Sequence, residues 1–286
     1  MLGERVLGER VPRAVWALTA FHIALLLGAS LLFPAFRPPD EAGHVDLVLH
    51  ARRTLAWPDY DEAQMSVPVV AARERVQPGG IQIARPPRHT VEDATARGDR
   101  PTFGDLGGAA EAMPRGTRAT FDHLAEERGW AAAGEPNQLA NHPPLYYYVT
   151  GAVSAVLSAV VEVFAGPLDF LQSVWLMRLV SVAMVAPLPF LAWATARRIG
   201  APPVAAVAAA AVPLAIPQLT HIGAAVNNDN LLTLAFGVLT LLLVAVWDGD
   251  VRPRLAVVVG AVGAVSLLAK GFALVLPPWI AAAYLA

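Results

Sequence analysis

The chain has 286 residues, of which 56% are hydrophobic and 15% charged, whereas a soluble domain carries about a quarter charged residues. A net charge of −2 offers no basic face for nucleic acid, and the absence of cysteine excludes disulfides, thiol chemistry and cysteine-ligated metal. Well over half of the charged residues lie within residues 37–142. One polar block is therefore set into an otherwise apolar chain, which predicts a membrane protein with an extramembrane part.

The first element is an apolar run, residues 14–33, behind a basic N-terminal stretch. About twenty apolar residues cross a bilayer core of ~30 Å, and a basic flank favours the cytoplasmic side. The run is long for a signal peptide. We therefore interpret residues 1–36 as a cytoplasmic N-terminus and a retained first transmembrane helix.

Just beyond this helix lies the stretch Phe36-Arg37-Pro38-Pro39-Asp40-Glu41-Ala42-Gly43-His44. Adjacent prolines cannot continue a helix, so the chain leaves the membrane through a rigid corner. If a helix begins here, Asp40 and His44 are four residues apart on one face, a pair that suits a general base or a divalent-cation site. The structural alternative is that Asp40 caps this helix.

The polar block, residues 37–142, is too long for a turn and predicts a small extracytoplasmic subdomain. Residues 41–55 and 117–127 are compatible with helices, and the Gly/Pro/Arg-rich residues 77–108 predict a loop. The block ends at Asn141-His142-Pro143-Pro144-Leu145-Tyr146-Tyr147-Tyr148, whose aromatic residues are typical of a membrane interface.

Residues 143–286 predict a multi-span membrane region, rich in the small residues that allow close helix packing in lipid. Its apolar segments are residues 145–165, 172–196, 202–220, 229–247, 255–269 and 272–286. The predicted fold class is therefore an all-α polytopic membrane protein. Since the last segment has no polar flank, we expect further spans beyond it.

Two polar interruptions of this region are candidate functional sites. Asn227-Asn228-Asp229-Asn230 has an ordinary turn composition, but a carboxylate where an apolar run begins is costly and tends to be functional. Lys270, the only lysine in the sequence, either extends to the membrane surface or binds a lipid phosphate.

The distribution of arginine predicts how the segments cross the membrane. Arg197-Arg198 and residues 248–254 are favoured in the cytoplasm, which puts both polar interruptions outside with the polar block. Residues 145–165 then lie along the membrane or re-enter it. In the alternative, they span the membrane and the proline-broken residues 202–220 do not. In both topologies the acidic corner and the Asn/Asp turn share one face.

The order of these features resembles the GT-C superfamily of membrane glycosyltransferases. In chain order, these features are an acidic pair after the first span, a long outer loop, His-Pro-Pro-Leu-Tyr-Tyr, an Asn/Asp turn and a Lys-Gly within apolar sequence. The superfamily includes protein O-mannosyltransferases, aminoarabinose transferases and oligosaccharyltransferase catalytic subunits. The Pro-Pro-Asp-Glu-x-x-His opening is similar to that of a bacterial family of multi-spanning proteins. The resemblance implies a GT-C-like transmembrane helix bundle with a long first extracytoplasmic loop.

The resemblance also implies an activity in the cell envelope. A hexosyl- or pentosyltransferase would move a sugar from a polyprenyl-phosphate carrier to a glycan, lipid or protein acceptor at the extracytoplasmic face of the plasma membrane. Catalysis is then expected from Asp40, Glu41 and Asp229, with Asp40 or Glu41 as the base towards the acceptor hydroxyl. Substrate binding is expected at Arg37, His44, His142, Asn228 and Lys270.

Two alternatives stay open from the sequence. A divalent cation, Mg²⁺ or Mn²⁺, would take Asp40 and Asp229 as ligands, although the turn lacks the acidic-x-acidic pattern of metal-dependent members. The rival functional class is a non-catalytic polytopic membrane protein, a transporter or an assembly scaffold. A transporter would place paired charges at mid-membrane depth, whereas the ionisable residues here gather at one face, with Arg178 as the main exception.

Overall fold

A computed structural model describes residues 10–76, 118–126 and 128–285. Within these ranges the chain is mostly helical with almost no strand, so the all-α polytopic class is confirmed. The loop predicted over residues 77–108 lies outside the described residues. The first helix and the subdomain comprise α1 (Arg13–Leu32), α2 (Glu41–Arg53), β1 (Gln64–Ser66), α3 (Val67–Val76), α4 (Phe121–Ala125) and β2 (Ala132–Pro136).

The remaining helices form the membrane region. They are α5 (Leu145–Ala165), α6 (Phe170–Val185), α7 (Leu188–Arg198), α8 (Pro203–Ala211), α9 (Pro217–Gly223), α10 (Asp229–Trp247), α11 (Pro253–Ala269) and α12 (Leu276–Leu285). Short 3₁₀ turns lie at Gln138–Asn141, Val212–Ala215 and Gly271–Val275. The predicted segment 172–196 is divided into α6 and α7 next to Pro187 and Pro189, because proline supplies no backbone N–H for a continuous helix.

The subdomain contains a two-stranded sheet that the sequence did not indicate. Strands β1 and β2 pair antiparallel with an irregularity in register. Two polar contacts, one partly exposed and one buried, hold this unit. Arg73 binds both oxygens of Glu135 at 2.6 Å, and Asp46 of α2 accepts from the backbone of Ser66 and the side chain of Asn137, both at 3.0 Å. The subdomain therefore keeps its shape through packing and hydrogen bonds, as a chain without cysteine must.

Four helical units among the described residues are long and apolar enough to cross a membrane. They are α1, α5, α10 and a 29-residue unit made of α6 and α7. Residues 203–223 form a helical pair bent by 62° at a break, next to the proline that begins α9. Length and composition alone therefore leave open which of α5 and this bent pair makes a crossing.

The contacts of α5 indicate its orientation. At its start, the Tyr148 hydroxyl donates to the carbonyl of Leu55 at 2.7 Å. Just past its end, the N–H of Phe170 donates to the carbonyl of Ala119 at 3.0 Å. Both ends of α5 are thus held against the subdomain. This arrangement favours the interpretation that residues 145–165 lie along the membrane over the alternative that they span it, and the exposed face of α5 is apolar, with Val153, Val156, Val160 and Val163.

The two ends of the helix bundle are chemically distinct. At the end far from the subdomain, Arg198 of α7 lies 3.6 Å from Asp248, just after α10, and the start of α1 packs there against α7 and α8. The 19 residues of α10 separate this end from Asp229 by about 28 Å at 1.5 Å per residue. The two arginine-rich segments predicted to share one side do share one end, and Asp229 lies at the other, which we call the subdomain end.

Candidate active site

The loop between α1 and α2 has an unusual backbone. Phe36 and Asp40 adopt left-handed φ angles of 63° and 59°, alone among the non-glycine residues that the structure describes. Such a backbone costs about 1–3 kcal/mol and persists only where the surroundings enforce it. Asp40 stands at the N-cap position of α2, but its side chain makes no capping hydrogen bond. Asp40 therefore occupies the predicted cap position, but its side chain does not cap the helix.

Glu41, next to Asp40, is fully buried and ion-paired with Arg178 of α6. The Nε of Arg178 donates to Oε1 of Glu41 at 2.7 Å, and its Nη2 donates to Oε2 at 2.6 Å. Removing one partner of a buried pair costs about 3–5 kcal/mol, because the other charge is left unpaired. The guanidinium also donates to carbonyl oxygens at and just beyond the end of α1, those of Ser30, Phe33 and Pro34.

The same carboxylate holds two backbone amides. Its Oε2 accepts from the N–H of Phe36 at 2.7 Å, and its Oε1 accepts from the N–H of Val226 at 3.0 Å. Phe36 belongs to the loop that carries Asp40, whereas Val226 belongs to the loop before α10. Both oxygens of Glu41 are thus occupied by donors, and the side chain joins two loops that are distant in sequence.

The predicted turn before α10 is tied to two other helices. The N–H of Asn227 donates to the hydroxyl of Tyr146 in α5 at 2.9 Å. The Nδ2 of Asn228 donates to the carbonyl of Ala269 at the end of α11, at 3.1 Å. Asn228, expected to bind substrate, is fully buried. Its side chain instead holds the backbone that carries Lys270.

Asp229 and Lys270 form an ion pair at the subdomain end. The Nζ of Lys270 lies 2.6 Å from Oδ1 of Asp229. The two side chains are 24% and 39% exposed respectively, so the pair is accessible to an approaching ligand. Lys270 therefore does not simply extend to the membrane surface, and the two polar interruptions singled out in the sequence form one feature.

His44 pairs with a tyrosine and not with Asp40. Its Nδ1 lies 3.0 Å from the hydroxyl of Tyr147, and the two rings stack with centroids 5.8 Å apart. Burial, with smaller contributions from the nearby His142 and Lys270, lowers the pKa of His44 to about 3. The predicted pair of Asp40 and His44 on one helix face is therefore not formed. The predicted interfacial role of the tyrosines is also wrong for Tyr146 and Tyr147, because both are fully buried.

His142 shows that the charged groups of this end lie close together. Burial lowers the pKa of His142, and Lys270 lowers it further, whereas Asp229 and Asp40 raise it. Charge–charge effects of this kind weaken with distance. Residues from the first loop, the end of the subdomain, the start of α10 and the end of α11 thus converge on one region.

The remaining predicted binding residue, Arg37, lies in the first loop. Its side chain is exposed and forms no hydrogen bond or ion pair with any residue that the structure describes. Two prolines, Pro38 and Pro39, separate it from Asp40. Its guanidinium is therefore available at the rim of the same region.

This region offers few side-chain ligands for a divalent cation. No group of three His, Cys, Asp or Glu side chains within the described ranges could hold a metal ion. One oxygen of Asp229 already binds the ammonium of Lys270. A cation bound between Asp40 and Asp229 would share the Asp229 carboxylate with that ammonium.

Residues 141–286 match the family model of the dolichyl-phosphate-mannose-protein mannosyltransferases. The chain belongs to this family. The match extends over slightly more than half of the chain and includes His142, Asp229 and Lys270, but not the first loop. As a member of this mannosyltransferase family, the protein is a membrane glycosyltransferase of the GT-C type. No curated protein and no solved structure matches the chain.

Sequence reasoning missed the partner of Glu41 in this glycosyltransferase. Arg178 was noticed only as an exception to the rule that ionisable residues gather at one face. A signal was available, because a lone arginine in an apolar segment needs a buried partner. Sequence reasoning also missed Ser181, whose hydroxyl lies 2.8 Å from that of Tyr146. A single serine within an apolar helix carries no comparable signal.

Proposed function

We propose that the protein transfers a sugar from a polyprenyl-phosphate carrier to a hydroxyl of a glycan, lipid or protein acceptor, on the extracytoplasmic side of the plasma membrane. The observation that carries the proposal is the convergence of Asp40, His142, Asp229 and Lys270 at the subdomain end. Sugar transfer from a phosphate needs a base for the incoming hydroxyl and a cation beside the departing phosphate. This region offers one of each.

Asp40 is the proposed base. Its side chain is exposed and takes no hydrogen bond or ion pair from any residue in the described ranges, whereas both oxygens of Glu41 are engaged. The acceptor oxygen forms a bond to the sugar as its proton passes to Asp40. The bond between the sugar and the carrier phosphate breaks, and the phosphate leaves with the electron pair.

Lys270 is the proposed ligand of the carrier phosphate. Its ammonium is accessible, and Asp229 holds it in place at 2.6 Å. His142 is neutral at pH 7, since its pKa lies below the ordinary value, so it offers a hydrogen bond and no charge. Arg37 supplies a second cation at the rim. In this scheme the ammonium takes the place that a divalent cation would have beside Asp229.

Asp40→Asn tests the base. We expect the rate of sugar transfer to fall by about 10²-fold or more, the usual contribution of general base catalysis, with unchanged insertion into membranes. The assay uses the full chain in membranes with polyprenyl phosphates carrying mannose, glucose or arabinose, mannose first because of the family to which the chain belongs. Asp59→Asn, an exposed carboxylate of the same subdomain, is the matched control. Full activity of Asp40→Asn would exclude Asp40 as the base, and no transfer from any donor would overturn the proposed function.

Lys270→Met tests the phosphate ligand. A hydrogen bond to a charged group contributes about 1.5–3 kcal/mol, so we expect the KM for the lipid donor to rise roughly 10- to 100-fold. The KM for the acceptor should change little. Arg128→Met removes an exposed cation of the subdomain and serves as the control. An unchanged donor KM would leave Lys270 as a structural partner of Asp229 alone.

The non-catalytic alternative has weaker support. The charge that lies within an apolar helix, Arg178, is neutralised by Glu41 and bonded to backbone carbonyls. It therefore lacks the accessible charge that a transport pathway requires. Membership of a glycosyltransferase family also favours the enzyme.

A further inference from the structure

We infer that Glu41 and Arg178 act as a clamp that sets the position of Asp40 relative to Asp229 and Lys270. In this role they are positioning residues, and neither reacts with the acceptor. The inference rests on the proposed function for its kinetic test, whereas its geometric test is independent of any activity.

The Glu41 carboxylate is saturated with hydrogen-bond donors. It accepts four hydrogen bonds, two from Arg178 and one each from the N–H groups of Phe36 and Val226. A carboxylate offers about four lone-pair sites in total. Glu41 is also fully buried. It could accept a proton from an acceptor hydroxyl only by giving up one of these contacts.

One of the two backbone amides bound by Glu41, that of Phe36, lies in the loop that carries Asp40. Phe36 precedes Asp40 by four residues, and its left-handed backbone is one of the strained positions of the first loop. The bond from its N–H to Glu41 closes the loop around Pro38-Pro39. The position of the Asp40 carboxylate therefore depends directly on the Glu41 side chain.

Glu41 also binds the loop before α10, through the N–H of Val226. Val226 precedes Asp229 by three residues, and Asn228 between them binds the carbonyl next to Lys270. A displacement of Val226 is thus passed to both members of the ion pair. One side chain controls the base on one side and the proposed phosphate ligand on the other.

Arg178 supplies the third anchor. It fixes the clamp to the end of α1 through the carbonyls of Ser30 and Phe33, both at 2.7 Å. Lysine cannot replace this planar set of donors, because its ammonium makes single-point contacts. The clamp therefore needs both the carboxylate and the guanidinium.

The geometric test uses the absence of cysteine in the chain. Cysteines introduced at Arg37, which is exposed, and at Gly271, where an added side chain meets no atom within 4 Å, carry spin labels on the two sides of the site. We expect one narrow distance distribution in the otherwise unchanged protein. Glu41→Gln should broaden or shift it, because the amide nitrogen cannot accept from the backbone N–H that faced it.

Asp46→Asn is the matched control for this measurement. Asp46 is a buried carboxylate of the same helix, but among the described residues its hydrogen bonds go only to Ser66 and Asn137, within the subdomain. Its variant should leave the distance distribution narrow even if the melting temperature falls. Equal broadening in both variants, or none in Glu41→Gln, would overturn the clamp.

The kinetic test separates positioning from chemistry. We expect Glu41→Gln and Arg178→Met each to lower kcat by about 10²-fold, as misplacement of reacting groups by about 1 Å can do. The double variant should be no worse than either single one, because both remove the same clamp. The pH profile of kcat should keep its shape at lower height, since Asp40 remains the base.

The outcomes of the kinetic test are distinct from a failure of the proposed function. If Asp40→Asn abolishes transfer while Glu41→Gln keeps the kcat of Asp46→Asn, the clamp is wrong and the function stands. If Glu41→Gln removes the acidic limb of the pH profile, Glu41 is the base and the clamp is again wrong. If no donor is used at all, the function fails, and the spin-label distances still decide the clamp.

Discussion

Adjacent carboxylates in the first loop differ in every physical respect that matters for catalysis. Asp40 is exposed and without a side-chain partner in the described ranges, whereas Glu41 is fully buried with four donors around it. An accessible carboxylate can exchange a proton with a substrate. A saturated one can hold a loop in place. The pair thus divides between chemistry and geometry.

His44 gives a residue-level prediction about pH. Burial lowers the pKa of His44 from its ordinary 6.5 to about 3. Above pH 6.5 neither state binds the proton. As the pH falls below 6.5, the unfolded state is protonated first, so the free energy of unfolding decreases until about pH 3 and then levels off.

His44→Gln should remove this pH dependence while keeping a hydrogen-bonding group near the Tyr147 hydroxyl. The measurement is the melting temperature of the full chain in detergent between pH 7 and 4. We expect the wild type to lose more stability over this interval than His44→Gln. An equally steep loss in both proteins would show that His44 does not carry the effect.

Single residues were predicted from sequence only where local chemistry was enough. A carboxylate at the start of an apolar helix and a lone lysine between apolar runs marked Asp229 and Lys270, and the structure pairs them. The partnership of Glu41 and Arg178 spans 137 residues. No local pattern encodes that contact, so the distinct position of Glu41 could not be predicted.

Among the elements, α5 shows how packing overrides composition. Its 21 residues are apolar enough to cross a membrane. Yet beyond two buried tyrosines its buried face carries Thr150, Gly151, Ser154 and Ser158, small residues that suit close packing on α2. Its two ends meet the same subdomain, and its other face is exposed and apolar.

Cysteine labelling tests the orientation of α5. Single cysteines at Leu55 in the subdomain, Glu162 near the end of α5 and Ile199 after α7 all replace exposed residues. We expect a membrane-impermeant maleimide to label positions 55 and 162 from the same side and position 199 from the other. Labelling of 162 together with 199 would show that α5 crosses the membrane.

Element boundaries followed the sequence where an explicit start signal was present. Helix α10 occupies residues 229–247 as predicted, because Asp229 follows a turn of asparagines. The predicted helix over 117–127 shrinks to Phe121–Ala125. The sheet of β1 and β2 escaped prediction because its strands, of three and five residues, show no apolar–polar alternation.

At the scale of the whole molecule, the helix bundle places two groups of charged residues at opposite ends. The subdomain end holds the paired and accessible groups of the site, and the far end holds Arg198 with Asp248. The arginine distribution in the sequence foretold this separation, since basic residues favour one side of the membrane. The arginine distribution could not predict the contacts by which α5 joins the subdomain to the bundle.

The long sequence separation of the clamp has a consequence for biosynthesis. Arg178 is made 137 residues after Glu41, which at 5–20 residues per second corresponds to a delay of about 7–27 s. During that interval Arg178, the buried partner of Glu41, is absent from the nascent chain, so the ion pair cannot form. The first loop therefore takes its final shape only after α6 has been synthesised, and the site is assembled late, although its base emerges from the ribosome among the first residues.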